Sequence, residues 1–218
     1  IETGQLQVSD GSTIGADTNG IGEGGDITIR ARDRIDVLGE TQASFFTSEI
    51  SASAGVGSQG NSGNITIETQ QLNVTNGGSI STETDGSGKA GELNIRASDT
   101  VTIRGEAVFL QGGYLTSSLS TDTSSASSGG NLRLNTRRLI VEDGGEISTS
   151  TSGSGAAGSL EIDATESIDL NGAGFSDSSI FSGVTLAGTG TGGKLTIRSP
   201  RLSVRNGAEV STVSFGSG

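Results

Sequence analysis

The chain has no cysteine, histidine, methionine or tryptophan, and a single proline among 218 residues. Lacking cysteine, it has no disulfide framework, no thiolate nucleophile and none of the commonest structural zinc sites. Aromatic residues make up 3% and apolar residues 30% of the chain, a content that ordinarily leaves a polypeptide disordered unless the apolar positions are used with great regularity. No apolar run approaches the roughly 18 residues of a membrane span, and Ile1 opens no basic, then apolar, signal peptide. The net charge is −12, with arginine and lysine scattered along the chain. An acidic chain of this kind is a poor candidate for nucleic acid, which wants a basic stripe, and its charge suits a long solvated surface.

Glycine is what the chain has in excess, at 37 residues, and much of it falls in phrases that return. NGGSISTETDGSG from Asn76 comes back as DGGEISTSTSGSG from Asp143. QLQVSDG at Gln5, QLNVTNG at Gln71, RLIVEDG at Arg138 and RLSVRNG at Arg201 set a large period, and RIDVLGE at Arg34, TVTIRGE at Thr100 and SIDLNGA at Ser167 divide it into two units. Short units alternate with long ones, and the coils fall near 1–24, 25–62, 63–90, 91–129, 130–157, 158–192 and 193–218.

Each unit holds three apolar segments with period-two spacing, the mark of strands and not of helices. The predicted ladder includes Ile65, Ile67 and Leu93, Ile95 in the first strand, Leu72, Val74 and Val101, Ile103 in the second, and Ile80 and Leu119 in the third, with Ile50, Ile147 and Val184 at the same phase. Glycines follow the second strand at Gly39, Gly77, Gly105, Gly144, Gly172 and Gly207, as does Gly11. Others precede the first strand at Gly25, Gly63, Gly91, Gly130, Gly158 and Gly193. A fixed phase means a turn with positive φ or a backbone packed closely on its neighbour. Each strand resembles the one a unit later, so like phases stack in parallel. The fold class expected is all-β, a right-handed parallel β-helix (β-solenoid) of about seven coils, alternately short and long. Seven coils about 4.8 Å apart would make a rod roughly 30 to 35 Å long.

The link between first and second strands is one residue longer in long units (Ile95 to Val101) than in short ones (Ile67 to Leu72). Opposite charges at matching outward positions, such as Arg30 with Glu68, Arg133 with Glu161 and Arg104 with Glu142, predict ion pairs between adjacent coils. Ile1-Glu2-Thr3 matches Ile67-Glu68-Thr69, and the final FGSG matches DGSG at Asp85, so the sequence reads as a slice of a longer array.

GNITIETQQLNVTNGGSIST, SGSGAAGSLEIDATESIDLNG and GGKLTIRSPRLSVRNGAEVST resemble the repeats of filamentous-haemagglutinin-type exoproteins, in particular cyanobacterial ones exported by two-partner secretion, over 5–218. The resemblance implies a structural or adhesive segment of a secreted cell-surface fibre, exported through an outer-membrane partner, without cofactor. It carries over no catalytic residue.

Candidate sites are few. β-Helical enzymes need clustered carboxylates or a base beside acidic ligands, whereas Asp163, Glu166 and Asp169 recur at repeat phases, with one tyrosine (Tyr114) and two lysines (Lys89, Lys194) in the chain. No enzyme activity is expected. GGDITI at Gly24 begins like a calcium nonapeptide but lacks its remaining glycine and aspartate, and reads as a turn. Thr82/Thr84, Thr121/Thr123 and Thr149/Thr151 point inward by parity. Phe45, Phe46, Phe109, Tyr114, Phe175 and Phe181 all fall in the extra segment of the long units. Aligning on Ile50, Leu119 and Val184 stacks Phe46, Leu115 and Ile180 as a satellite core, leaving Phe45, Tyr114 and Phe181 as candidate ligand-binding rings for surface glycans. Self-stacking of copies through strand edges is a further expectation.

Overall fold

The computed structural model describes residues 1–39, 42–43, 47–109, 113–186 and 188–215. All regular structure among them is β. No helix among the described residues is long and apolar enough to cross a membrane.

The first sheet runs in order through Glu2–Val8, Ile27–Leu38, Ile65–Thr75, Leu93–Arg104, Leu132–Glu142, Leu160–Asn171 and Leu195–Arg198, every pairing parallel. Leu202–Arg205 also pairs with Leu160–Asn171. A second, seven-stranded sheet of parallel pairs runs through Thr13–Gly15, Glu49–Ser51, Ser79–Ser81, Ser118–Ser120, Glu146–Thr151, Ser179–Val184 and Glu209–Ser214. Like phases meet: Ile65 lies opposite Ile27 and Leu93, and Ile80 opposite Ile50 and Leu119. This is a repeat architecture of the β-solenoid kind.

The inward faces of the two sheets share one core, in which Ile65, Ile67, Leu72, Val74, Ile80, Leu93, Ile95, Val101, Ile103 and Leu119 are fully buried. At about 25 cal/mol per Å² of apolar area, burying each side chain is worth roughly 1.5–3 kcal/mol. The ladder is the main source of stability. Between the sheets, threonine hydroxyls replace aliphatic carbon. Thr82 donates to the Gly91 carbonyl at 2.7 Å, Thr121 to Gly130 at 2.6 Å and Thr149 to Gly158 at 2.9 Å, so these fully buried hydroxyls tie the second sheet to the entry of the first. Their desolvation is thereby offset.

The first and second apolar segments are one continuous strand with a corner, not two strands. In Ile65–Thr75 the buried positions are Ile65, Ile67 and Thr69, then Leu72 and Val74, a parity change that swings the strand across the core. The long-unit strands absorb their extra residue here as an irregularity, between Thr69/Gln71 on one strand and Ala97/Thr100 on the next. At the corner short units place Thr3, Thr69, Thr136 or Ser199, each donating to the carbonyl two residues on, and long units place buried Ala31, Ala97 or Ala164. Pro200, which has no N–H to give the ladder, stands where the last strand breaks in two.

The second corner differs between unit types. In short units Asp10-Gly11, Asn76-Gly77, Asp143-Gly144 and Asn206-Gly207 all have positive φ at both residues, with the following N–H bonded three residues back, as Gly78 to Thr75 at 3.1 Å. These are type I′ turns, usual in hairpins, here joining strands of two different sheets. Among the long-unit glycines Gly105 has φ +81°, whereas Gly39 and Gly172 are outside the left-handed region. A Cβ at Gly39 would lie 2.0 Å from the Asn76 carbonyl oxygen, and one at Gly172 2.5 Å from that of Asn206. Close approach is the reason for glycine there.

Long-unit bulges extend over these short-unit turns. Glu106–Phe109 pairs antiparallel with Tyr114–Thr116 and parallel with Gln42–Ala43, two units away. Glu106 reaches over the Asp143-Gly144 turn to accept the Ser176 N–H at 2.8 Å. Fully buried serines fasten the layers: the Gly77 N–H donates to Ser117 Oγ at 3.0 Å and the Gly144 N–H to Ser178 Oγ at 3.2 Å.

Candidate functional site

The expected ion pairs all lie on the outward face of the first sheet. Arg30 meets Glu68 at 3.0 Å, Arg133 meets Glu161 at 3.1 Å and Arg104 meets Glu142 at 3.2 Å. Arg137 bridges Asp99 and Glu166. Hydrogen bonds from Arg137 hold the Asp99 carboxyl below its ordinary range, and those from Arg198, then Arg133, do the same for Glu161. As exposed, solvent-screened pairs they fix register more than they hold the fold together. Every arginine of the chain lies on or beside a first-sheet strand.

Of the three rings singled out from sequence, Tyr114 and Phe181 lie on different sheets. Phe45 lies outside the described residues, as does Phe46. Tyr114 is 46% exposed on the bulge, where its ring meets Phe175 edge-on, with centroids 5.6 Å apart. Phe181 belongs to the outward face of the second sheet, opposite Ser148 and Ser211. The satellite core also fails as drawn. Ile180 is opposite Ile147 and Val210 in the main core, whereas Leu115 is 41% exposed. Val184, aligned by sequence with Leu119, instead lies opposite Thr151. The bulges differ in length, so matching the last aliphatic residue before the turn shifted this unit by four positions. Fully buried Ala107, against which a Cβ at Gly77 would clash, fills the space under the bulge.

Outward positions of the second sheet form rows fixed by the pairing. One row reads Gly15, Ser51, Ser81, Ser120, Ser148, Phe181, Ser211. Flanking it are Thr13, Glu49, Ser79, Ser118, Glu146, Ser179, Glu209 on one side and Asp17, Ser53, Glu83, Asp122, Ser150, Gly183, Val213 on the other. These rows contain acids and no arginine or lysine. The acids bond to the next unit: Asp17 accepts the Ser53 N–H and Asp122 the Ser150 N–H, both at 2.7 Å, and Glu83 accepts the Ser120 hydroxyl at 3.2 Å.

Burial pushes Glu83 up to about 7, reinforced by the charges of Asp122, Asp85 and Glu49. Burial likewise pushes Asp122 up to about 6, with Glu146 adding repulsion against the hydrogen bonds from Ser150. Glu83 and Asp122 line a cleft of about 310 Å³ with Asp85, Ser152 and Thr185. Thr185 also lines a groove of about 520 Å³ with Phe181, Leu186, Val213 and Phe215, in which the serine face turns apolar. Parity counted outward from Ile80 and Leu119 finds Glu83 and Asp122, the signal that inward positions of the third strand alone do not carry. Among the described residues no group of three or more acids is arranged to hold a metal ion.

No family model, no curated protein and no solved structure matches the chain.

Proposed function

We propose that the chain is a structural or adhesive segment of a secreted surface fibre, wound as a right-handed parallel β-helix with one coil per unit. The observation that carries this reading is the axial register: in both sheets every strand pairs in parallel with its counterpart one unit on, and buried threonines bridge the sheets at the same phase. A molecule built by repeating one cross-section extends a surface along a line. The acids of the first sheet are engaged by arginines, which favours a mechanical over a catalytic role. The resemblance to filamentous-haemagglutinin-type repeats supports export through an outer-membrane partner and an extracellular or cell-surface location. Immuno-electron microscopy of source cells with an antibody against this segment should decorate fibres or a continuous sheath; label confined to the cell interior would overturn the proposal. A crystal structure would test the winding, and a left-handed coil would refute it.

A carbohydrate-binding module is the second reading, supported by the exposed, edge-on pair of Tyr114 and Phe175. Replacing both by alanine should then abolish binding on a glycan array while the far-ultraviolet dichroism is unchanged. Binding that survives both replacements would remove this reading.

A further inference from the structure

We infer that the apolar groove on the outward face of the second sheet docks an extended, basic segment of a partner protein, anchored by one apolar side chain. The groove is an anomaly within its own face. At the position of Phe181 every other unit carries serine or glycine, and in the neighbouring row Val213 follows positions held mainly by acids and serines. Phe215, 64% exposed, and Leu186, 83% exposed, complete a small apolar patch on this otherwise polar face. It has room for one large side chain.

Charge decides the chemistry of the occupant. Glu209 lines the groove, and Thr185 lines both the groove and the cleft of Glu83 and Asp122. The first sheet pairs its acids with arginine on adjacent strands, whereas the outward rows of the second sheet carry acids and no arginine or lysine. A strand-like segment that alternates basic and apolar residues matches both features. Its anchor would fill the groove against Phe181 and Phe215, and its lysines or arginines would lie along Asp122 and Glu83.

The test uses fluorescence anisotropy with a labelled peptide that alternates lysine and valine around a central phenylalanine. Binding at physiological salt is expected to weaken at least tenfold when the peptide phenylalanine is replaced by serine. The same loss is expected for Phe181→Ser in the protein. Paired Glu83→Gln and Asp122→Asn changes should also weaken it at least tenfold, whereas Glu68→Gln with Glu142→Gln, the same charge removed from the first sheet, should change it less than twofold. Affinity should fall from pH 8 to pH 5 as Glu83, facing Asp85, Asp122 and Glu49, and Asp122, facing Glu146, take up protons. Equal loss in both charge pairs would reduce the effect to net charge and overturn the docking site. Indifference to the peptide anchor, displacement by neutral oligosaccharides, or no binding even at low salt would also overturn it. The peptide variants keep the result interpretable if Phe181→Ser destabilises the protein.

Discussion

At the scale of single residues, stability depends on atoms that are missing as much as on those present. A Cβ at Gly130 would lie 1.7 Å from the Gly91 carbonyl oxygen, and one at Gly158 1.6 Å from that of Gly130. The contact is with backbone, so no rotamer change relieves it. Gly130→Ala is expected to destabilise the fold by about 3 kcal/mol or more, read by chemical denaturation; a loss below about 1 kcal/mol would mean that the units part easily at this column. The buried serines act in the opposite sense, by supplying an atom. Ser117→Ala leaves the Gly77 N–H without its acceptor and should cost about 1–3 kcal/mol, with faster hydrogen exchange at that amide. Ser118→Ala, on the outward face one residue away, should stay within about 0.5 kcal/mol.

At the scale of elements, the corners set the path of the chain. Asn76 sits at φ +54°, and asparagine tolerates this region better than alanine does. Asn76→Ala should cost about 1 kcal/mol, whereas Asn76→Gly should be near neutral; equal losses in thermal melts would show that the side chain and not the backbone matters. These turns were legible from their Asn-Gly and Asp-Gly letters, and the ladder from its period of two. The bent strand was less so, because the parity change at Gln70 and Gln71 reads locally as an interruption. The second-sheet alignment of Ile180 was not legible, since the preceding bulges vary in length and their apolar residues mimic a core strand. The candidate rings were found by composition, but which ones meet depends on pairing across two units, as with Tyr114 and Phe175.

At the scale of the whole molecule, the two sheets respond to pH in opposite directions. Glu83 and Asp122 are raised in the folded state, so between pH 8 and about 5 the fold holds more protons than the unfolded chain and gains stability as pH falls. Asp99 and Glu161 are lowered; their contribution is present above the ordinary carboxylate range and is lost as pH falls below it. The melting temperature should therefore rise from pH 8 to about pH 5 and fall beyond about pH 4. Glu83→Gln should flatten the first limb, and a steady decline from pH 8 downward would contradict the assignment.

The clasp of long-unit bulges over short-unit turns also bears on how such a chain is inherited. A short unit between two long ones supplies the turn that Ser117 and Ser178 fasten, so neither type substitutes for the other. Gain or loss of coding sequence is then tolerated in pairs of units. Removing 63–129 should leave a shorter protein with a cooperative melt; removing 63–90 alone, which sets long upon long, should not. Lineages carrying this repeat would be expected to differ in length by even numbers of units.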